Sequence, residues 1–154
     1  MFKAPLFWKK KSIISLFLLP FSFFYYLGYL IYRLLKKEVE IGKPVLCIGN
    51  LVIGGAGKTP LVIKVRQLLS DDFSKIFVLT RGYLGGNKGP LIVKKTMHYK
   101  DVGDESLIHA NIGSTCVSKN KIEGAKFCKK NGADLIILDD GLQSINVKKK
   151  FSLL

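Results

Sequence analysis

The sequence predicts an α/β fold, a largely parallel sheet with helices packed on it, and three observations carry that expectation. From position 44 onward, short β-branched apolar runs alternate with helical segments. Runs such as "DLIILDD" (134–140) lack polar alternation, as strands covered on both faces require. The stretch "LCIGNLVIGGAGKTP" (46–60) passes from an apolar strand through a glycine-rich turn into a helix start.

Taken in order, the first element is an uncharged run of 21 residues, "SIISLFLLPFSFFYYLGYLIY" (12–32), bounded by Lys9, Lys10 and Lys11 on one side and by Arg33, Lys36 and Lys37 on the other. As a helix it extends about 31 Å, close to the bilayer core. It is too long for a cleavable signal peptide, and no small-x-small site follows it. With four basic residues on each flank, the positive-inside rule gives no orientation, so spanning and lying in one leaflet both remain open. A buried core helix is the bland alternative. Pro20 is placed to kink the helix, and Tyr25, Tyr26, Tyr29 and Tyr32 suit the headgroup layer. Residues 1–43 therefore form a membrane-associating basic and aromatic segment, and 44–154 a nucleotide-binding domain.

Within 44–154, strands are expected at 45–48, 76–80, 91–93, 115–117 and 134–138, and helices at 58–69 and 121–131. The terminal "KKKFSLL" (148–154) reads as the start of a further strand. A sheet ending there leaves an unpaired apolar edge.

The chain carries 25 basic against 11 acidic residues, a net charge of +14, which favours anionic partners. Eleven of its 17 aromatic residues fall within the first 32 positions, away from most lysines. Single-strand binders interleave rings with cations, so membrane and phosphate rank above nucleic acid. Cys47, Cys116 and Cys128 are expected to be buried, reduced thiols, and His98 and His109 surface residues, because no metal-ligand spacing links them.

Phosphate binding needs several backbone N–H groups converging on one point, which glycine permits because a side chain blocks the approach. Gly54, Gly55 and Gly57 supply that freedom, and the helix that follows offers its free N-terminal amides. Lys58 would reach the β/γ-phosphates and Thr59 would ligate Mg²⁺. Strict phosphate-loop spacing asks for Gly at position 52, where this chain has Val52. The motif is thus partial, and a glycine-rich turn that happens to precede Lys-Thr is its alternative. The surrounding strand, loop and helix fit a P-loop NTPase-like sheet.

"LIILDDGLQS" (135–144) is an apolar strand delivering two carboxylates, suited to a cation; Asp139 and Asp140 point to opposite sides if the strand persists. The alternative is an Asp pair capping a turn before Gly141. "DVGDES" (101–106) is a further acidic cluster, where an acid could accept a hydroxyl proton, although spacing alone favours a helix N-cap.

Together "IGNLVIGGAGKTP", "LTRGYLGG" (79–86), "DVGDES" and "ILDDGLQ", in this order after a basic and aromatic helix, resemble the tetraacyldisaccharide 4'-kinase family. The resemblance covers nearly the whole chain. It implies ATP-dependent phosphorylation of the 4'-hydroxyl of a tetraacyldisaccharide 1-phosphate, a lipid A precursor, at the cytoplasmic face of the inner membrane. It assigns Val52, Ile53, Gly54, Gly55, Ala56, Gly57, Lys58 and Thr59 to ATP, with Thr59 also on Mg²⁺. It makes Asp104 the general base, supported by Glu105, and places Asp139 and Asp140 at the metal, with Gln143 at the active-site strand end. Arg81 matches the "RGY" segment in an active-site or structural role.

Departures accompany the likeness. Family members run to roughly twice this length, and their second half supplies a C-terminal domain, a histidine paired with the catalytic acid and much of the acceptor cleft. Ser144 stands where the family has His, Ser106 where it has Pro, and Lys150 where it has Asp. The expectation is therefore a truncated N-terminal half, inactive alone, with a separately encoded C-terminal half as a candidate partner. The competing reading is a membrane-tethered nucleotide-binding module without catalysis.

Overall fold

The structure, a computed structural model, describes residues 13–35, 38–49, 57–141 and 146–153. The chain divides into two compact units, the first reaching position 37 and the second beginning at Glu38. The boundary falls there because Val39 bridges to Val147 and Ile41 is buried in the core of the second unit.

Helix α1 (Ile13–Leu35) is the first unit's described element and carries Pro20 within it. Its apolar side chains are exposed at successive positions, including Phe17, Leu19, Phe21, Phe23, Phe24 and Tyr25, so apolar surface runs around the helix. Among the described residues no helix is long and apolar enough to cross a membrane.

The second unit runs β1 (Val45–Ile48), α2 (Lys58–Leu68), β2 (Ile76–Thr80), β3 (Leu91–Ile92), α3 (Tyr99–Val102), α4 (Asp104–Ile112), β4 (Thr115–Val117), α5 (Lys121–Lys130), β5 (Leu135–Asp139) and β6 (Phe151–Leu153). They form one sheet in the order β3-β4-β2-β5-β1-β6. All pairings are parallel except β3 with β4, where the short segment 91–92 runs antiparallel.

Every residue of β1, β2, β4 and β5 is buried, as the uninterrupted apolar runs require. Alternation sorts their side chains to two faces. Cys47, Phe77, Leu79, Ile136 and Leu138 pack with Ala125 and Cys128 of α5. Leu46, Ile48, Ile76, Val78, Leu135 and Ile137 pack beneath Val62 of α2. Val102 and Ala110, from α3 and α4, close a third cluster on Val93 and Val117. Arg66 of α2 donates to Ile76 O (2.9 Å) and Ser114 O (3.3 Å), tying the helix to the entrances of β2 and β4.

The strand expected at 134–138 lies one residue later, at Leu135–Asp139, the elements expected at 58–69, 91–93 and 121–131 each end one residue earlier, and two helices, α3 and α4, emerge around an acidic cluster read as a helix start. The terminal strand forms as expected, beside β1 at the sheet edge, with Phe151 63% and Leu153 41% exposed.

The connection leaving β1 runs past β5 to β2, whereas the chain leaving β5 passes to the far side of β1. Adjacent parallel strands whose connections depart in opposite directions open a crevice at their carboxyl ends, the usual ligand position in such sheets. The fold therefore singles out the ends of β1 and β5. A cavity of about 400 Å³, lined by Glu40, Lys43, Lys148 and Lys150 among others, lies at the opposite end of β1.

Candidate active site

Lys58 opens α2 behind Gly57, whose φ of 69° is the left-handed conformation that glycine adopts without strain. Among the described residues no side chain caps this helix start. Its first N–H groups and dipole thus face the crevice, an arrangement that attracts anions. Val52, Ile53, Gly54, Gly55, Ala56 and Gln143 lie outside the described residues. Thr59 is half-buried in the first turn of α2.

The two acids at the end of β5 sit differently because the strand stops between them. Asp139 is its last residue and is buried, while Asp140 turns out of the sheet at φ 55°. The Asp140 N–H donates to Ile48 O at 3.0 Å, which pins it to the end of β1. Asp140 Oδ1 accepts from Lys58 Nζ at 2.8 Å, and this bond holds the Lys58 ammonium above the ordinary lysine value.

Asp139 faces the interior. Its Oδ2 lies 3.2 Å from His109 Nε2, in a pair whose side chains are 5% and 1% exposed. The expectation of a surface histidine holds for His98, which is exposed and caps α3 by accepting from Lys100 N, and is corrected for His109. All three cysteines are buried and free, as expected.

Lys121, at the start of α5, is only 8% exposed and donates to Leu79 O (3.2 Å) and Asp139 O (3.4 Å), joining the ends of β2 and β5. Burial pulls its pKa down to about 8, against the opposing pull of Asp139 and Asp140.

Asp104 and Glu105 begin α4. Spacing alone favoured an acid as the N-cap; that position belongs to Gly103, at φ 83°, with no side-chain cap bond. A Cβ there would come within 2.5 Å of Tyr83 O, so the loop after β2 and the start of α4 meet too closely for any residue but glycine. Asp104 instead sits in the first turn, with Oδ1 accepting from Glu105 N at 2.9 Å. The Glu105 carboxyl is raised by partial burial, then by Asp139 and Asp104, and lowered by Lys58 and His109. That set of neighbours brings α2, α4 and β5 to one electrostatic cluster. Arg81 is exposed just beyond β2 and opposes the charge on Lys121.

Sequence reasoning missed His109 and Lys121. His109 follows Glu105 by four residues, so a helix at 104–112 puts both on one face, a signal available only once that helix is recognised. Lys121 has no comparable signature; it reads as one more surface lysine beside the capping Asn120.

Among the described residues no group of three or more His, Cys, Asp and Glu side chains forms a cation cage. Mg²⁺ does not need one, because it binds through one or two carboxylates with phosphate oxygens and water. Thr59, Asp139 and Asp140 offer hard oxygen donors of that kind. Each acid spends one oxygen, on His109 and Lys58 respectively, and has a second to offer. The donor set fits.

The family model for tetraacyldisaccharide-1-P 4'-kinase matches residues 14–154. The tetraacyldisaccharide 4'-kinase of Rhodopseudomonas palustris strain BisB5 is 40% identical over 99% of this chain and 45% of its own length. That of Paramagnetospirillum magneticum is 40% identical over 98% of this chain and 47% of its own. The crystal structure of the "apo" form of LpxK from Aquifex aeolicus in complex with ATP superposes with a TM-score of 0.74 at 29% identity, covering 91% of this chain and 48% of that one. The chain thus spans about half the length of the relatives it matches. With the family model covering all but its first residues, this chain belongs to the tetraacyldisaccharide-1-P 4'-kinase family.

Proposed function

We propose that the chain provides the nucleotide half of a kinase that transfers the γ-phosphoryl group of ATP to the 4'-hydroxyl of a tetraacyldisaccharide 1-phosphate lipid. The observation that carries this reading is the convergence of Lys58, Asp139 and Asp140 at the carboxyl ends of adjacent parallel strands, with Glu105 in the same electrostatic field. The ATP-bound relative of the same fold supports it.

Lys58 exchanges its Asp140 partner for the β/γ-phosphates, while the start of α2 and residues 52–56 cradle them. Thr59, Asp139 and Asp140 would hold Mg²⁺, which when bound neutralises charge on the transferring group. Asp104 orients the acceptor hydroxyl and takes its proton, and Glu105 supports it. Positioning and electrostatics would then carry most of the catalysis. Arg81, exposed just beyond β2, takes an active-site or structural role, and Gln143 an active-site role, by likeness to the family.

Helix α1 associates with the membrane, at its cytoplasmic face where the acylated substrate lies; apolar surface around the whole helix supports this. Acceptor phosphorylation also draws on residues that relatives carry outside the matched half, on the same polypeptide or on a separately encoded one.

The test is an equilibrium titration of the purified chain with a fluorescent ATP analogue and Mg²⁺. Lys58→Ala is expected to weaken binding at least tenfold, on the order of 1.4 kcal/mol or more. Equal affinity for parent and variant overturns the proposal.

A further inference from the structure

Beyond the residues assigned to nucleotide and acceptor, α4 buries two polar side chains one turn apart, Ser106 and His109, where a helix of nine residues would gain more from apolar packing. The Ser106 hydroxyl has no partner among the described residues. The imidazole has one, the Asp139 carboxylate at 3.2 Å. An ionised carboxylate only accepts, so the proton of this bond sits on Nε2.

A terminal carboxylate on an otherwise apolar strand rotates freely unless a neighbour fixes it. Among the described residues its side-chain bond comes from His109, since Lys121 reaches the Asp139 backbone carbonyl and Lys58 reaches Asp140. The imidazole belongs to the same helix that presents Asp104 and Glu105 at its start. One bond therefore ties the helix bearing the acceptor-side acids to the strand bearing the cation-side acids.

We infer that His109 is a positioning residue: its Nε2–H holds the Asp139 carboxylate in the orientation that offers Oδ1 to Mg²⁺ at the nucleotide phosphates. The inference rests on the ATP reading above and adds a residue to it. Groups that orient a metal-ligating carboxylate from outside typically change metal affinity by roughly 10–100-fold when removed.

The experiment titrates Mg²⁺ into the parent chain, His109→Leu and His109→Gln at fixed fluorescent ATP analogue, with a parallel titration of the analogue in EDTA. His109→Leu is expected to raise the half-saturating Mg²⁺ at least tenfold while leaving metal-free affinity within about twofold; a merely structural role would weaken both together. His109→Gln, which keeps an N–H donor, is expected to return the Mg²⁺ curve toward the parent. An unchanged Mg²⁺ curve in His109→Leu, equal losses with and without metal, or a glutamine variant no better than leucine overturns the inference while the ATP reading stands. If the parent binds no nucleotide under any condition, the ATP reading fails and takes this inference with it. Should the leucine variant not fold, the parent's imidazole decides by NMR. A slowly exchanging downfield Nε2–H resonance that moves on adding Mg²⁺ and nucleotide supports the bond, and its absence overturns it.

Discussion

On the ATP reading proposed above, the contact between Lys58 and Asp140 belongs to one of two states of the site. The ammonium assigned to phosphate is held at 2.8 Å by a carboxylate, and the two side chains are 26% and 65% exposed. Ion pairs this open contribute on the order of 1 kcal/mol or less, so nucleotide phosphates can displace the carboxylate. Asp140→Asn removes the competitor and one negative charge beside the phosphates. Its affinity for a fluorescent ATP analogue in EDTA is expected to rise about two- to fivefold, while the gain on adding Mg²⁺ shrinks because a donor oxygen is lost. A fall in metal-free affinity, measured by the same titration, would contradict this role. The two acids were legible as a pair at a strand end, but their split was not: alternation would separate them only if the strand persisted, and the left-handed turn at Asp140 that exposes one and leaves the other against His109 has no signature in the sequence.

At the scale of elements, the sheet was readable because its central strands are buried on both faces and leave no polar alternation to mislead. Runs 45–48, 76–80 and 115–117 appear at the expected positions, and the strand in "DLIILDD" lies one residue later than expected, at Leu135–Asp139. Helix α4 was readable only at its start, since "DESLIHANI" places Ser106 and His109 on its buried face and has no apolar stripe of helical period. The same blindness hid Lys121, a cation whose charge gives no hint that it lies between β2 and β5. Its burial makes a pH prediction. With a folded pKa near 8 and an unfolded value near 10.4, the unfolded chain binds more protons between those limits, so stability from this group rises with pH across that window. The unfolding free energy of the parent relative to Lys121→Met is therefore expected to increase between pH 8 and 10.5, by up to about 3 kcal/mol. Denaturant melts of both chains at pH 7.5 and 10 measure it; a difference that is flat or falls with pH would remove Lys121 from the list of buried cations.

For the whole molecule, two features argue for a surface rather than a soluble partner: a net charge of +14 and a helix with apolar side chains exposed around it. They act by different physics and can be separated. Charge draws the chain to anionic headgroups at about 1 kcal/mol per basic residue near the surface, and that attraction fades within a Debye length as salt rises. Apolar transfer of α1 is insensitive to salt and needs no lipid charge. In a vesicle sedimentation assay, raising salt from 0.1 to 0.5 M is expected to lower binding to vesicles rich in anionic lipid while leaving binding to zwitterionic vesicles nearly constant. Phe17→Asp with Phe24→Asp, at positions 78% and 69% exposed, is expected to reduce the zwitterionic binding at least tenfold, because each buries a carboxylate in place of a ring. Retained binding in that variant would place the membrane contact elsewhere on the chain, and complete loss of parental binding at high salt would make it purely electrostatic. In either case α1 would not be the proposed apolar anchor, and the kinase reading proposed above would need another surface for an acylated acceptor.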